Sequence, residues 1–231
     1  MKSTITAGLL LASLATPTMA ATLYSETFTG QEGIGVTGPI TAGSNPAVSG
    51  VTWSLDVSGA NLTADDDFAR VEDGAFSARD TDGIAVWLSP IIDILGFTDL
   101  MLSAAFTESG DIEGGSGTNT DFINAEVSLD GGSSFTLLSN INGFGSETFS
   151  LTGDTPDDGD FDATTLSTSL DNGSAFQFRV SFANSAASEL FTLDDVLLSG
   201  SPVSQVPLPP AALLLGSALL GLGLWRRRRA M

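Results

Sequence analysis

The chain alternates hydrophobic and polar residues in a series of short runs separated by turn residues. The clearest run is Phe176–Phe182, in which four apolar residues alternate with Gln, Arg and Ser. A period of two residues predicts a strand with one buried face and one polar face. Similar runs predict further strands at Leu23–Phe28, Val51–Val57, Ala75–Arg79, Ile84–Leu88, Leu100–Phe106, Ala125–Leu129, Phe135–Leu138 and Phe191–Leu198.

Turn residues separate these runs, and no segment between residues 22 and 200 has a sustained helical period. Asp130–Gly132 and Asp171–Gly173 have the composition of hairpin connections. About ten short strands in one domain of this size predict an all-β fold. We therefore expect a two-sheet β-sandwich, jelly-roll-like, over residues 22–200, followed by a short linker at 201–205.

The first twenty residues have a different pattern, which is typical of a secretory signal peptide. Lys2 supplies a positive charge, Gly8–Leu14 is apolar, and Thr18–Ala20 ends in the small residues of a cleavage site. A buried N-terminal helix is the alternative, but Pro17 and the small residues favour cleavage. Residues 1–20 therefore predict export and a mature chain that starts one or two residues later.

The last twenty-six residues form a third kind of segment. Ala211–Trp225 is apolar and close to the minimum length for crossing a bilayer, and the prolines before it prevent a helix from extending upstream. Arg226–Arg229 then favour a cytoplasmic C-terminus. These features predict a transmembrane helix over residues 211–225. A simple anchor explains the helix and the arginines, but not the block of prolines directly before them.

That order of features resembles the sorting signals of the PEP-CTERM family, in the variant named after VPLPA. The matching residues are Val206, Pro207, Leu208 and Pro209, followed by the helix and by Arg226, Arg227, Arg228 and Arg229. The resemblance implies export through the inner membrane of a Gram-negative bacterium and processing by an exosortase, which removes the helix and arginines. The product is then expected at the cell surface or in the extracellular matrix. Pro210 stands where the variant usually has Ala, so the cleaved bond stays open.

Composition narrows the possible chemistry of the 231-residue chain. It has no Cys and no His, which excludes disulfides, thiolate zinc sites and Ser-His-Asp catalysis. All 28 acidic residues lie between Glu26 and Asp195, a stretch that contains only three arginines. Such a charge argues against binding to nucleic acid and suits hard divalent cations.

The predicted domain also resembles, over most of its length, bacterial jelly rolls of the MAM and carbohydrate-binding-module kind. The resemblance lies in SETF, FSARDTDG, AEVSLDGGSSFTLL and FTLDDVLLSG. It implies a structural Ca²⁺ held by Glu26 on the first strand and by Asp194 and Asp195 on the last. Adjacent carboxylates inside an apolar strand are costly unless they are paired or bind a metal. Solvated or backbone-capping aspartates on an edge strand are the alternative.

Two other acidic segments are interpreted as ordinary connections. Asp154–Asp162 lacks the glycine position and bidentate glutamate of an EF-hand loop, so a solvated loop is favoured. Arg79–Gly83 follows a predicted strand, and a turn is favoured over calcium ligation.

Two tryptophans are candidates for a sugar-binding surface, which needs an exposed aromatic ring. Trp53 shares the phase of Val51 and Leu55, so we expect it in the core. Trp87 is out of phase with its aliphatic neighbours in Ile84–Leu88, which would place it on the outer face; a structural position in the core is the alternative. Trp87 is therefore the candidate for glycan contact.

Three classes of function are compatible with the sequence. The first is a non-catalytic surface or matrix protein with a calcium-stabilised β-sandwich, which the ends and the composition favour. The second is a carbohydrate-binding module that engages exopolysaccharide. The third is a glycan-active enzyme that uses two carboxylates. No pair is singled out by the sequence, with Glu108, Glu113 and Glu126 as its only candidates, so we expect no enzyme activity.

Overall fold

The structure is a computed structural model, and it describes residues 19–110, 121–142 and 163–203. Residues 1–18 of the predicted signal peptide, the acidic loop 154–162 and the predicted sorting tail 206–231 lie outside these ranges. The described residues form no helix and contain thirteen strands. These are β1 Ala21–Glu26, β2 Gly35–Thr37, β3 Ser54–Gly59, β4 Phe68–Glu72, β5 Ala75–Arg79, β6 Ile84–Leu88, β7 Ile92–Asp93, β8 Phe97–Ser109, β9 Phe122–Ser128, β10 Thr136–Asn142, β11 Ala163–Leu170, β12 Ala175–Ala183 and β13 Leu190–Pro202.

The strands form two antiparallel sheets, so the predicted all-β, two-sheet sandwich is confirmed. The first sheet has the order β11-β8-β13-β5-β4-β2, and β1 also pairs with β13. The second sheet has the order β10-β9-β12-β6-β3, and β7 also pairs with β12. Both β13 and β12 therefore lie in the interior of their sheets.

An aromatic cluster fills the space between the two sheets. Phe76 of the first sheet lies 5.6 Å from Phe182 of the second and 5.7 Å from Trp53, measured between ring centroids. Phe28 packs against Trp53 and Trp87 at 6.2 and 5.9 Å, in both cases edge to face. Edge-to-face packing of buried rings stabilises a core beyond the area that it buries. The expected core position of Trp53 is confirmed.

Most predicted strands are present, and two connections differ from the prediction. Asp130–Gly132 lies in the connection between β9 and β10, which pair as a hairpin. Asp171–Gly173 instead joins β11 of the first sheet to β12 of the second, so it is not a hairpin turn. The predicted linker begins too early, because Ser201 and Pro202 continue β13 opposite the first residues of β8.

The two ends of the described domain lie side by side. Ala21, the first residue of β1, is paired with Gly200 near the end of β13. The backbone N–H of Val203 donates a hydrogen bond of 2.8 Å to the carbonyl of Gly96, in the loop before β8. The segments that precede and follow the sandwich thus leave it at the same end. In the described ranges no helix is long and apolar enough to cross a membrane; the predicted helix 211–225 is outside them.

Candidate functional site

The carboxylates of Asp194 and Asp195 are accommodated by a β-bulge in β13. Asp194 is paired with Ala105 and Leu197 with Ser103, so two residues of β13 oppose the single residue between them on β8. Asp195 occupies the left-handed region at φ 48°, as one residue of such a bulge often does. The bulge shifts the phase of the strand by one residue. Both carboxylates therefore lie on the outer face, while the apolar residues on either side of them point into the core.

The same bulge marks the point where β13 changes its neighbour. Leu190–Leu193 pairs with β5, whereas the residues after the bulge pair with β1. Glu26 is the last residue of β1 and lies opposite Val196. Its side chain is buried on the same face as Tyr24 and Phe28, which face the core. Glu26 therefore points inward at a position where Asp194 and Asp195 point outward.

Glu26 begins a series of side-chain hydrogen bonds that extends into the core. Its Oε1 accepts hydrogen bonds from the backbone N–H of Phe28 at 2.8 Å and from Nε2 of Gln31 at 2.9 Å. Gln31 in turn accepts a hydrogen bond of 2.7 Å from Nε1 of Trp53. A buried carboxylate and a buried indole N–H each need such partners. The sequence gives no signal that connects Gln31 with Trp53, and this network was not predicted.

The three predicted calcium ligands are not gathered into one site. Asp194 accepts a hydrogen bond of 2.7 Å from the backbone N–H of Asp195. Partial burial raises the pKa of Asp194, and the nearby charges of Asp195 and Glu26 add to this. In the described part of the chain, no three Asp, Glu, His or Cys side chains form a group that could hold a metal. The carboxylates present do not fit the Ca²⁺ site that the resemblance implies.

The prediction that Trp87 lies on the outer face is wrong. Its side chain is 0 % exposed and packs against Phe28 and Phe178, with ring centroids 5.9 and 6.3 Å apart. Ala85 and Trp87 face the core, whereas Ile84 is 43 % exposed. The large indole fills space that the small Ala85 leaves open. A buried ring offers no stacking surface, so Trp87 is not a glycan contact.

A groove lined by both polar and apolar residues, which we call the outer-face groove, lies on the outer face of the first sheet. Its volume is about 380 Å³. The hydroxyls of Thr107 and Thr192 hydrogen-bond to each other across its floor. Asp194 lines this groove, and Asp195 lines a neighbouring groove that shares Ala105 with it. The polar lining of the outer-face groove is Glu72, Asp73, Ser77, Thr107, Thr192 and Asp194.

The lining of the outer-face groove comes from four regions of the chain, which explains why no local motif indicates it. The strands contribute small residues (Ala75, Ala105) and hydroxyl-bearing residues (Ser77, Thr107, Thr192), and β13 adds Leu190 and Asp194. The arrangement offers carboxylate acceptors and hydroxyl groups that both donate and accept. It suits a ligand rich in hydroxyl groups.

No family model matches the sequence, and no curated protein matches it. Among solved structures, the K3 cleaved adhesin domain of Lys-gingipain from Porphyromonas gingivalis is similar, with 14% identity and a TM-score of 0.41. That match covers 78% of this chain and 99% of the adhesin domain. The CBM22-1 xylan-binding domain of Paenibacillus barcinonensis Xyn10C has 10% identity and a TM-score of 0.34, covering 82% of this chain and 100% of that domain. A CBM4 structure has 16% identity and a TM-score of 0.38, covering 76% and 97%. Carbohydrate-binding modules are thus among the structural neighbours of this chain.

Proposed function

We propose that this protein is an exported, non-catalytic β-sandwich that its C-terminal segment holds at the membrane until an exosortase releases it to the cell surface or matrix. The observation that carries the proposal is the order of Val206–Pro209, the apolar segment 211–225 and Arg226–Arg229 directly after β13. A secretory signal at the other end supports it, because export must come before sorting.

The way β13 is held supports a role as the attachment strand. It pairs with β8 along its length, and on its other side with β5 and then β1. Near the exit point, Pro202 is opposite Phe97 of β8, and Gly200 is opposite Ala21 of β1. A segment tethered through β13 is therefore tied to the middle of a sheet rather than to an edge. Such a strand resists being pulled out of the sheet, because its hydrogen bonds to the strands on both sides must break together.

The proposal is tested by changing the proline motif in the native host. Replacement of Pro207 and Pro209 with Ala should prevent release, so that the protein stays in the membrane fraction with its full C-terminal mass. Replacement of Ser204 and Gln205, which directly precede the motif, is the matched control and should leave release unchanged. Equal release of both variants would contradict the sorting role.

A second candidate function is binding to a polysaccharide, and the outer-face groove favours it. Carboxylates and hydroxyls such as those of Asp194, Thr192 and Thr107 can form paired hydrogen bonds with sugar hydroxyls. This candidate places the ligand on the outer face of the first sheet and gives no role to Trp87. It is compatible with the sorting proposal, since a protein released into a matrix can bind that matrix.

Substitution within the groove tests this second function. Thr192→Val removes a hydroxyl and Asp194→Asn replaces a charged acceptor with a neutral amide, and both keep the side-chain shape, so retention on the host's exopolysaccharide should fall by about tenfold for each. Asp93→Asn, an exposed position on β7 of the other sheet, is the control. Retention of both groove variants at the level of the control would exclude the groove as the binding surface.

A further inference from the structure

A buried carboxylate at the end of the sandwich opposite the attachment end has one oxygen without a partner. Asp67, directly before β4, is only 1% exposed. Its Oδ2 accepts hydrogen bonds from the backbone N–H groups of Thr63 and Ala64 at 2.6 and 2.7 Å. Its Oδ1 is buried and receives no hydrogen bond. An unpartnered buried oxygen is costly, so this position calls for a donor.

Asp80 lies beside Asp67, because the residues next to them, Arg79 and Phe68, pair across β5 and β4. It lies in the loop between β5 and β6, within hydrogen-bonding reach of the Asp67 carboxylate. The negative charges of Asp82, in the same loop, and of Asp66 also act on Asp80. The charge of Asp67 acts in turn on Asp82. The nearby guanidinium of Arg79 is engaged elsewhere, with Asp66 at 3.3 Å and with the carbonyl of Ala187 at 2.8 Å.

We infer that Asp67 and Asp80 form a carboxyl pair that shares one proton, with the protonated Asp80 donating a hydrogen bond to Oδ1 of Asp67. Two carboxylates in contact do not both ionise readily, because each negative charge opposes the other. The pair joins the β5–β6 loop to the segment before β4. The inference does not depend on the sorting tail or on the outer-face groove.

The inferred hydrogen bond between Asp80 and Asp67 makes the folding stability of the domain depend on pH. Burial, followed by the charges of Asp67 and Asp82, raises the pKa of Asp80 to about 6. The folded protein therefore keeps a proton on Asp80 at a pH where the unfolded chain has lost it. This contribution to stability is fully present below the ordinary pKa of aspartate and is lost as the pH rises through about 6. The link holds in mildly acidic surroundings and weakens in neutral ones.

The Asp80→Asn variant tests the pair, since an amide carries a permanent donor in place of the shared proton. Asp80 has φ 47°, a backbone conformation that Asn accepts well. Asp99→Asn is the matched control, because Asp99 is exposed, has φ 51° and lies at the other end of the sandwich. Thermal unfolding of the full chain in mild detergent is followed by the fluorescence of the buried tryptophans.

Relative to the unmodified chain, Asp80→Asn should raise the melting temperature by about 3 °C near pH 8, and this gain should shrink as the pH falls through about 6 and vanish below the ordinary pKa of aspartate. Asp99→Asn should show no such dependence on pH. A gain for Asp80→Asn that is independent of pH, or equal to that of the control, would overturn the inference. So would a calcium-specific stabilisation near pH 8 that Asp80→Asn abolishes, because the pair would then bind a cation rather than a proton.

Discussion

Glu26 and Trp53 are joined through a single side chain, Gln31, which donates to the carboxylate at 2.9 Å and accepts from the indole at 2.7 Å. Trp87 lies beside Trp53, with the two ring centroids 6.5 Å apart. The Nε1 of Trp87 has no hydrogen-bond partner. Two neighbouring buried indoles therefore differ in one hydrogen bond, which makes them a natural pair for comparison.

Replacement of each tryptophan by Phe should have unequal effects on stability. Both changes leave a similar cavity in the core. Trp53→Phe also leaves the carbonyl oxygen of Gln31 without a donor, whereas Trp87→Phe removes an N–H that had no partner. We expect Trp53→Phe to lower the free energy of unfolding by about 1–3 kcal/mol more than Trp87→Phe. Denaturant unfolding of the two variants measures this difference, and equal losses would contradict the hydrogen-bonded chain.

Calcium binding by Glu26, Asp194 and Asp195 stays a prediction of the resemblance, and the described geometry argues against it. The melting temperature should be the same in calcium, in magnesium at matched ionic strength and in chelator. Glu26→Gln keeps an acceptor for Phe28 and Gln31 while removing the charge that a cation needs. A calcium-specific rise that Glu26→Gln abolishes and Asp93→Asn preserves would restore the predicted site.

Substitutions at Asp195 separate a backbone role from a role of its charge. The left-handed conformation costs an ordinary side chain about 1–2 kcal/mol, and Gly, Asn and Asp tolerate it best. Asp195→Asn and Asp195→Gly should therefore keep the stability of the bulge, while Asp195→Ala should lower the free energy of unfolding by about 1 kcal/mol. Chemical denaturation of the three variants tests this. Comparable losses in all three would show that the carboxylate itself matters.

The alternating pattern predicted the strands whose two faces differ clearly. Ala75–Arg79 has the bounds of β5, and Phe176–Phe182 lies within β12. In β12 the four apolar side chains are all buried, as the period of two requires. A strand can be recognised in the sequence when apolar residues occupy its buried face and polar residues its exposed face.

The alternating pattern did not predict the strands whose two faces differ little in hydrophobicity or that are very short. β11 is an edge strand rich in Thr and Ser, and Leu166 is its one fully buried side chain among those whose side chains are described. β4 directly follows Asp65–Asp67, residues of a type common in turns, and β2 and β7 have only three and two residues. Edge position and short length reduce the hydrophobic signal, although pairing with neighbours still holds these strands in place.

The errors at the candidate site have a similar physical origin. Ile84–Leu88 is apolar on both faces, so its alternation does not decide whether Trp87 or the aliphatic residues face the core. The adjacent carboxylates of Asp194 and Asp195 did indicate an irregularity in the last strand. Either a bulge or a bound metal ion would accommodate those charges. Only the pairing register of β13 reveals the bulge.

We propose that the C-terminal segment is a sorting signal that is removed after export. The most direct measurement is the intact mass of the protein recovered from the surface or medium of its native host. We expect a chain that starts at Ala21 or Thr22 and ends within residues 206–210, without the apolar segment and the arginines. A recovered chain that still carries Arg226–Arg229 would contradict it.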